Sequence, residues 1–349
     1  MLLTQRKIIL IGPCGGGGIP KNGASAKNYH LVKYLREKQL RVVNVDTESW
    51  KREPLVLFRL LFHLLFSYRA TFILAANSWS SYKVIRLFSI MPRRRHLVYW
   101  TIGGCVADWI KEGRVEKKPY SAIDMFIVEG KNMQKTLAEV GFNNVVVVPN
   151  FKNIDNMPSD ASKTQEHASL RFVFLSRIIP EKGCNTIINA VTLLNETHKD
   201  KFTVDFWGPF ESNYKKEFLS RIETLDNVEY KGFLDLRNQK NYDVLAEYDA
   251  MLFPTYWPGE GFPGIVIDAF VAGLPVIATD WSQNADIIEH GRTGVILEEN
   301  SAEALRDAML SFVDGKEHIE TMRDNCRREA HSYDIHNVIS DELLRKICR

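Results

Sequence analysis

The sequence predicts an α/β protein built from two doubly wound parallel sheets, each with helices packed on it. Three observations predict this class. The chain has 349 residues, and a single hydrophobic core stops growing at about 250–300 residues. Short apolar segments alternate with helix-like segments, as is typical of parallel sheets. A polar stretch at residues 151–168 interrupts this alternation, which then begins again.

Six candidate strands lie in the first 150 residues. Each is a short apolar run of the kind that is buried in a parallel sheet. They are Ile8–Ile11, Val42–Val45, Thr71–Ala75, His96–Thr101, Phe126–Val128 and Val145–Val148. Helical periodicity over Ala24–Lys38, and helical stretches between most of the other strands, predict the crossover connections.

A second set of six strands follows residues 151–168. It comprises Phe172–Leu175, Thr203–Trp207, Val228–Tyr230, Ala250–Phe253, Val276–Ala278 and Gly294–Leu297. We therefore expect a first domain over 1–150 and a second over 151–334. A last helix, at about 335–349, is expected to pack back on the first domain. Two such domains facing each other form a cleft, and ligands of open parallel sheets bind beyond the carboxyl ends of the strands.

Composition excludes several classes of protein. A hydrophobic content of 45% and a charged content of 25% are those of a globular protein. The net charge of +2 argues against a general affinity for nucleic acid. The five cysteines are scattered and form no C-x-x-C pair, so we expect neither a structural zinc site nor a disulfide framework, and a reducing cytosol fits best. The first apolar run is too short for the core of a signal peptide.

The segment Pro54–Phe66 is almost wholly apolar and has two interpretations. Its thirteen residues cannot span a bilayer, which needs about 20. One interpretation is a buried crossover helix. The other is a helix lying on a membrane surface, with Leu60 and Leu64 in the lipid and the basic cluster Arg93-Arg94-Arg95 nearby in sequence.

Two carboxylates, Glu260 and Asp268, stand eight positions apart around a glycine-broken turn. A helix starting near Gly264 would hold Glu260 in the loop before it and Asp268 just past its first turn. The free N–H groups and positive dipole end of such a helix bind anions. The run therefore predicts a nucleotide-sugar pocket. In isolation, Glu260 is equally a residue that caps a turn.

Two further loops follow predicted strands. Gly12–Gly18 permits close approach of its backbone to a ligand, but it fits neither the phosphate-loop pattern nor G-x-G-x-x-G. Ser176–Gly183 carries Arg177 and Lys182, and fixed cations stabilise a departing diphosphate. Taken alone, the two cations are more simply solvated surface charges. Asp46, at the end of the second strand, gives weak support to a dehydrogenase.

Several motifs follow one another in a specific order. They are Arg177 to Lys182-Gly183, Phe253-Pro254-Thr255, Glu260-Gly261-Phe262, Asp268-Ala269, Gly273 to Ala278, and Glu289 to Gly294. This order resembles retaining GT-B glycosyltransferases of family 4, the glycosyl transferases group 1 type. In the first half, Asn22-Gly23-Ala24 is similar to the acceptor-side loop of that family, and Val148-Pro149-Asn150 to its domain junction.

The resemblance implies a role for each matching residue. The catalytic group is Glu260, which contacts the transferred sugar, with Arg177 and Lys182, which bind the donor diphosphate. The implied donor-binding residues are Asp268 at the ribose, then Gly261, Phe262, Pro263, Gly264, Ile265 and Val266, and Gly17, Gly18 and Gly23. The implied acceptor-side residues are Thr101, Gly103 and Gly104.

The sequence departs from the family pattern at three places. Asp268 stands where the family usually has glutamate, which shortens the reach, and Pro263 replaces a commoner glycine. The histidine that many relatives carry after the fourth strand is missing, since His96 lies at the start of that strand. No general base is therefore assigned, and the leaving phosphate itself would deprotonate the acceptor, with catalysis by positioning and electrostatics.

The resemblance implies transfer of a hexose-type sugar from a nucleotide diphosphate to a hydroxyl group, with retention of configuration. The nucleotide sugar is a co-substrate, and neither a cofactor nor a metal is expected. The expected acceptor is a saccharide or lipid-linked saccharide of cell-surface polysaccharide or glycoconjugate synthesis. The expected location is the cytoplasm, and the membrane-surface interpretation of Pro54–Phe66 adds peripheral contact at the inner face of the plasma membrane. The alternatives are a GT-B nucleotide-sugar epimerase and a non-catalytic sugar-nucleotide-binding protein.

Overall fold

The structure of the protein is a computed structural model. It describes residues 6–16, 23–48, 50, 53–91, 95–103, 106–154, 169–211, 213–236, 238, 240–315 and 318–348. The chain divides into two compact units. The first comprises Met1–Asn153 and Tyr333–Arg349, and the second comprises Ile154–Ser332.

The first unit contains a six-stranded parallel sheet in the order β2-β1-β3-β4-β5-β6. Its strands are β1 (Lys7–Gly12), β2 (Arg41–Asp46), β3 (Thr71–Asn77), β4 (His96–Ile102), β5 (Met125–Val128) and β6 (Val145–Val147). Each overlaps one predicted strand, so the predicted parallel sheet is confirmed. The crossover helices are α1 (Gly23–Glu37), α2 (Leu55–Phe66), α3 (Ser78–Ser89), α4 (Val106–Lys111) and α5 (Lys131–Glu139).

The second unit repeats this architecture with a six-stranded parallel sheet in the order β12-β11-β10-β7-β8-β9. Its strands are β7 (Leu170–Leu175), β8 (Phe202–Trp207), β9 (Val228–Gly232), β10 (Ala250–Phe253), β11 (Val276–Thr279) and β12 (Gly294–Leu297). Its helices are α6 (Cys184–His198), α7 (Lys215–Ile222), α8 (Asn241–Ala246), α9 (Gly264–Val271), α10 (Asn284–Ile287), α11 (Ala302–Asp314) and α12 (Ile319–Ala330).

The end of the chain lies in the first unit. It forms α13 (Ile335–Val338) and α14 (Asp341–Ile347). Leu344 is buried in one hydrophobic cluster with Leu31 of α1, and the hydroxyl group of Tyr34 donates to the carbonyl oxygen of Ile339 at 2.7 Å. The last two helices therefore cover the same face of the sheet as α1.

Helix α2 covers the opposite face of that sheet, and its inner side is buried. Leu60 is 6% exposed and Leu64 is fully buried, in one cluster with Ile85 and Phe88 of α3. The membrane-surface interpretation was therefore wrong to place Leu60 and Leu64 in lipid, because these two residues hold the helix on the sheet. In the part of the chain that the structure describes, no helix is long and apolar enough to cross a bilayer.

Each sheet has one point where the chain reverses its direction of winding. In the second unit it lies between β7 and β10, which are neighbours in the sheet although far apart in the chain. Ligands of open α/β sheets bind outside the carboxyl ends of the strands at such a point. Gly183 follows β7 here with φ +85°, and a Cβ atom added to it would overlap the main chain of Pro254, which follows β10. The absence of a side chain therefore lets the two loops meet.

Replacing Gly183 by alanine is expected to destabilise the second unit more than the same replacement at Gly291. Both residues have positive φ, +85° and +77°, but only Gly183 lacks space for a Cβ atom. The left-handed backbone costs about 1–2 kcal/mol in either variant, and crowding against the main chain adds about 1–3 kcal/mol in Gly183→Ala. Urea unfolding followed by circular dichroism measures both, and an equal loss in the two variants would contradict the close-approach argument.

Candidate functional site

The first cation of the site is Lys182, at the end of a short 3-10 turn, Pro180–Lys182, in the loop after β7. Its side chain is 8% exposed. The ammonium group contacts carboxylate atom Oε2 of Glu260 and lies 5.5 Å from the ring centre of Phe253. A buried lysine keeps its charge when an opposite charge pairs with it. Lys182 and Glu260 therefore form an ion pair across the two loops.

Glu260 is held in place by its own loop as well. The hydroxyl group of Thr255 donates to the same carboxylate atom, Oε2, at 3.1 Å. The hydroxyl group of Ser282 donates to the main-chain carbonyl oxygen of Glu260 at 2.9 Å, and the Glu260 amide donates to the carbonyl oxygen of Trp257 at 3.0 Å. The contacts that Lys182 and Thr255 make with the Glu260 side chain both use Oε2, and neither uses Oε1. The carboxylate is thus fixed before any ligand arrives.

Arg177, the second cation, contacts the same loop at a different residue. Its guanidinium group lies 4.9 Å from the ring centre of Trp257 and pairs with Glu211 at 2.9 Å. The Arg177 side chain is 42% exposed, in contrast to Lys182. Both predicted cations therefore reach the loop after β10, at residues three positions apart.

Helix α9 begins after this loop, at Gly264, as the sequence predicts. No side chain caps its first turn, because the N-cap position is occupied by Pro263. The amide of Val266, one of the implied donor-binding residues, donates to the carbonyl oxygen of Pro263 at 3.1 Å. An uncapped helix N-terminus has N–H groups and a dipole end that favour an anion.

Asp268, in the second turn of α9, is 4% exposed and has a partner that the sequence analysis missed. The hydroxyl group of Tyr242, on α8, donates to its Oδ1 atom at 2.5 Å. Burial, and secondly the neighbouring Asp268 carboxylate, hold the pKa of Tyr242 well above its ordinary value. Tyr242 therefore stays protonated and orients the carboxylate. Its position in a predicted helix carried no sign of this role, since 26 residues separate the pair.

In the first unit, the glycine-rich loop is held by two acidic side chains. The amides of Cys14 and Gly16 donate to the carboxylate of Asp46 at 2.9 and 2.7 Å, and the amide of Gly15 donates to Glu48 at 2.5 Å. The carboxylate of Asp46 therefore binds main chain where a dehydrogenase would use it for ribose. Gly17, Gly18 and Gly104 lie outside the described residues.

The predicted acceptor-side residues differ in their surroundings. Thr101 is 1% exposed, and its hydroxyl group donates to the carbonyl oxygen of Ile127 at 3.1 Å. A Cβ atom added to Gly103 would meet nothing within 4 Å, and the same is true of Gly23 at the start of α1. His96 lies at the far end of β4, as expected, where Nε2 is 2.9 Å from the carbonyl oxygen of Ile347.

A buried ion pair that the sequence analysis did not predict lies at the carboxyl ends of these strands. Nζ of Lys27, on α1, is 2.5 Å from Oε1 of Glu129, which follows β5, and both side chains are 4% exposed. The ammonium group also lies 5.3 Å from the ring centre of Trp100 and 5.5 Å from that of Phe151. The pair joins α1 to the loop after β5. No spacing rule relates two residues 102 positions apart.

The described residues offer no metal site and no reactive cysteine. They contain no group of three or more His, Cys, Asp or Glu residues placed to hold a metal ion. Their four cysteines are free and buried, and burial raises the pKa of Cys14 and of Cys184 to about 12. Neither of these two thiols supplies a thiolate nucleophile at neutral pH.

Comparison with known protein sequences gives matches over part of the chain. Amylovoran biosynthesis glycosyltransferase AmsK of Erwinia amylovora is 28% identical over 155 residues, 43% of this chain and 37% of that protein. The 2-deoxystreptamine N-acetyl-D-glucosaminyltransferase of Niallia circulans is 26% identical over 168 residues, 48% of this chain and 42% of that protein. The chain thus spans less than half the length of these two relatives.

Comparison with solved structures covers nearly the whole chain. The crystal structure of HepE from Anabaena in complex with UDP has a TM-score of 0.71 at 19% identity and covers 98% of each chain. Sucrose-phosphate synthase from Thermosynechococcus elongatus has a TM-score of 0.74 at 14% identity, over 98% of this chain and 97% of that one. At these identities the likeness establishes the fold, which is of the GT-B type.

A family-level match covers the unit that holds the Lys182–Glu260 pair. It extends over residues 158–330, nearly all of the second unit and just under half of the chain. By sequence, the part of the chain that carries this ion pair, the uncapped helix α9 and Asp268 matches the family described as glycosyl transferases group 1.

Proposed function

We propose that the protein is a retaining glycosyltransferase that moves a hexose-type sugar from a nucleotide-diphosphate sugar to a hydroxyl group. The observation that carries the proposal is the ion pair of Lys182 with Glu260 at the point where the second sheet reverses its winding. Arg177 contacts the same loop, and the uncapped N-terminus of α9 follows it. Cations, a carboxylate and a helix end thus converge where a diphosphate sugar would lie.

When a donor binds, Lys182 and Glu260 would contact different parts of it. The donor diphosphate, with its negative charges, would bind beside the Lys182 ammonium group, whose three N–H donors can contact a phosphate and Glu260 together. Glu260 would then accept hydrogen bonds from hydroxyl groups of the transferred sugar. Because Thr255 and Ser282 already fix Glu260, little reorganisation is needed.

The reaction breaks the bond between the anomeric carbon and the diphosphate oxygen and forms a bond from that carbon to the acceptor oxygen. Negative charge grows on the leaving diphosphate, where Lys182 and Arg177 would stabilise it. The acceptor proton passes to the leaving phosphate on the same face of the sugar, which accounts for retention without a protein base. We propose that the reaction needs neither a metal ion nor a further cofactor.

Asp268 would bind the ribose hydroxyl groups of the donor nucleotide. A buried carboxylate with one oxygen held by a tyrosine hydroxyl group has its direction fixed. In this arrangement Tyr242 is a positioning residue, because its hydroxyl group holds the carboxylate in one orientation.

The names of relatives guide the proposed acceptor. AmsK acts in amylovoran biosynthesis by name, and a relative from Staphylococcus aureus is named as a capsular polysaccharide biosynthesis glycosyltransferase. We infer that this protein takes a saccharide or lipid-linked saccharide acceptor in the synthesis of a cell-surface polysaccharide. Its site of action would be the cytoplasmic face of the plasma membrane.

The alternative functions share the donor site and differ in turnover. A nucleotide-sugar epimerase of the same fold would convert the donor sugar without an acceptor. A non-catalytic binding protein would bind the donor without hydrolysis or transfer. The dehydrogenase alternative loses its main support, because the Asp46 carboxylate is bound to the loop amides.

A donor screen tests the function directly. With EDTA present, one of UDP, GDP and ADP, or a sugar derivative of it, is expected to raise the melting temperature, since a ligand at 100 times its Kd stabilises the folded state by about 2.7 kcal/mol. Product analysis with the selected donor is then expected to give the free nucleoside diphosphate and a new glycoside only when an acceptor is added. Conversion of the donor to an epimer without transfer, or binding without turnover, would replace the proposal by one of the alternatives.

Replacing Glu260 by glutamine is expected to lower kcat by about 100-fold or more, because the amide loses the charge that the sugar hydroxyl groups and Lys182 need. Glu260→Asp, which keeps the charge, is expected to retain more activity. The matched control is Glu223→Gln, an exposed glutamate after α7. Turnover and melting temperature are measured for all three, and near-normal turnover of folded Glu260→Gln would reduce Glu260 to a residue that orders the loop.

Replacing Tyr242 by phenylalanine is expected to raise the KM for the donor about tenfold and to leave kcat within about twofold, because it removes one hydrogen bond to a carboxylate that binds the nucleotide. The matched control is Tyr230→Phe, which removes a hydroxyl group that donates to the carbonyl oxygen of Gly208 at 2.9 Å. Steady-state kinetics separate the two constants. The positioning role fails if both variants change KM equally, or if Tyr242→Phe lowers kcat alone.

A further inference from the structure

Helix α2 presents a continuous apolar face to solvent. Seven of its twelve residues are large apolar side chains with exposed fractions between 44% and 71%. They are Leu55, Leu57, Phe58, Leu61, Phe62, Leu65 and Phe66. At 3.6 residues per turn they cover about half of the helix circumference. This set is called the outer face of α2.

The outer face is unusual because the helix is already anchored on its other side. Val56, Leu60 and Leu64 are buried against the sheet, so the outer residues are not needed to hold the helix in place. A surface helix of a globular protein normally has polar residues on its outward side. Fifteen large apolar or aromatic side chains are exposed among the described residues, and seven of them are on this helix. Such clustering marks an interaction surface, whereas single exposed residues do not.

Positive charge predominates in the sequence around the outer face, although the exposed Glu53 precedes α2. Residues 54–107 contain no aspartate or glutamate and seven arginine or lysine residues, in a chain whose total net charge is +2. Four of these cations, Arg59, Arg69, Lys83 and Arg86, are exposed on or beside α2 and α3. Apolar side chains beside exposed cations complement an anionic lipid surface, in which acyl chains lie beneath phosphate groups.

The length of the helix excludes a transmembrane arrangement. Twelve residues extend over about 18 Å, whereas the hydrocarbon core of a bilayer is about 30 Å thick. A second copy of the chain is disfavoured as the partner, because it would bring the same positive charge to the contact. A helix that lies in the plane of the membrane surface satisfies both the length and the charge.

We propose that the outer face of α2 docks the protein on an anionic lipid bilayer, with its leucine and phenylalanine side chains among the acyl chains and the neighbouring cations at the lipid phosphates. The inference deepens the proposed function and rests on it only for the acceptor, since a lipid-linked acceptor lies in such a surface. Docking itself needs no substrate. It can therefore be measured apart from the transfer reaction.

The test is flotation of the purified full chain with vesicles of phosphatidylglycerol and phosphatidylcholine, and with vesicles of phosphatidylcholine alone. The wild-type protein is expected to float with the anionic vesicles and not with the neutral ones. The variant Phe58→Gln/Phe62→Gln/Phe66→Gln is expected to bind at least about tenfold more weakly. Its melting temperature should be unchanged, because these rings are exposed.

Two matched controls make the result specific. Phe233→Gln removes an equally exposed ring, 63% exposed, in the second unit, and it should float as the wild type does. Leu60→Gln/Leu64→Gln changes the inner side of α2 and should lower the melting temperature, which separates loss of folding from loss of docking.

Three results would overturn the proposal: flotation of the triple variant equal to that of the wild type, no flotation of the wild type with anionic vesicles, or a dimer in analytical ultracentrifugation that the triple variant abolishes. Sugar transfer to a soluble acceptor is measured without vesicles. Vesicle binding without transfer would contradict the proposed function and leave the docking surface intact. Transfer without vesicle binding would support the proposed function and contradict the docking surface.

Discussion

The close approach of Gly183 to Pro254 is the constraint on which the site in the second unit depends. The two residues follow neighbouring strands, β7 and β10, and a side chain on Gly183 would push their loops apart. Lys182 precedes this glycine, and Glu260 lies in the loop that continues from Pro254. Because the main chains touch, the ammonium and carboxylate groups meet. The geometry of the ion pair thus follows from one missing Cβ atom.

The Lys182–Glu260 pair is a prepared polar site more than a source of stability. Taking both charges out of water costs free energy that their attraction only partly returns. The carboxylate of the pair has a fixed orientation, since Thr255 holds the carboxylate and Ser282 holds the main chain of Glu260. Charged groups that are already oriented in a water-poor site stabilise a developing charge without further reorganisation.

The two sheets share a winding pattern but treat the loops at their reversal points differently. In the first unit, the amides after β1 are bound by the carboxylates of Asp46 and Glu48. In the second unit, no side chain caps the first turn of α9. In the first unit, carboxylates of the protein itself therefore bind the amides at the reversal point. In the second unit, the N-terminus of α9 can bind an anion from a ligand. This asymmetry supports the proposal that the donor phosphates bind to the second unit.

The sequence by itself determined the twelve strands, their parallel arrangement in two sheets and the start of the helix at Gly264, because local hydrophobic runs and glycine positions encode them. It also singled out Lys182 and Glu260 as residue types. Their contact, and that of Tyr242 with Asp268, was decided by the tertiary structure, since strand order brings distant loops together. Tertiary packing also decided that Leu60 faces the sheet: a helix that is apolar all round has no polar side to mark the outward direction, so only its contacts with the sheet fix which face is left for a partner.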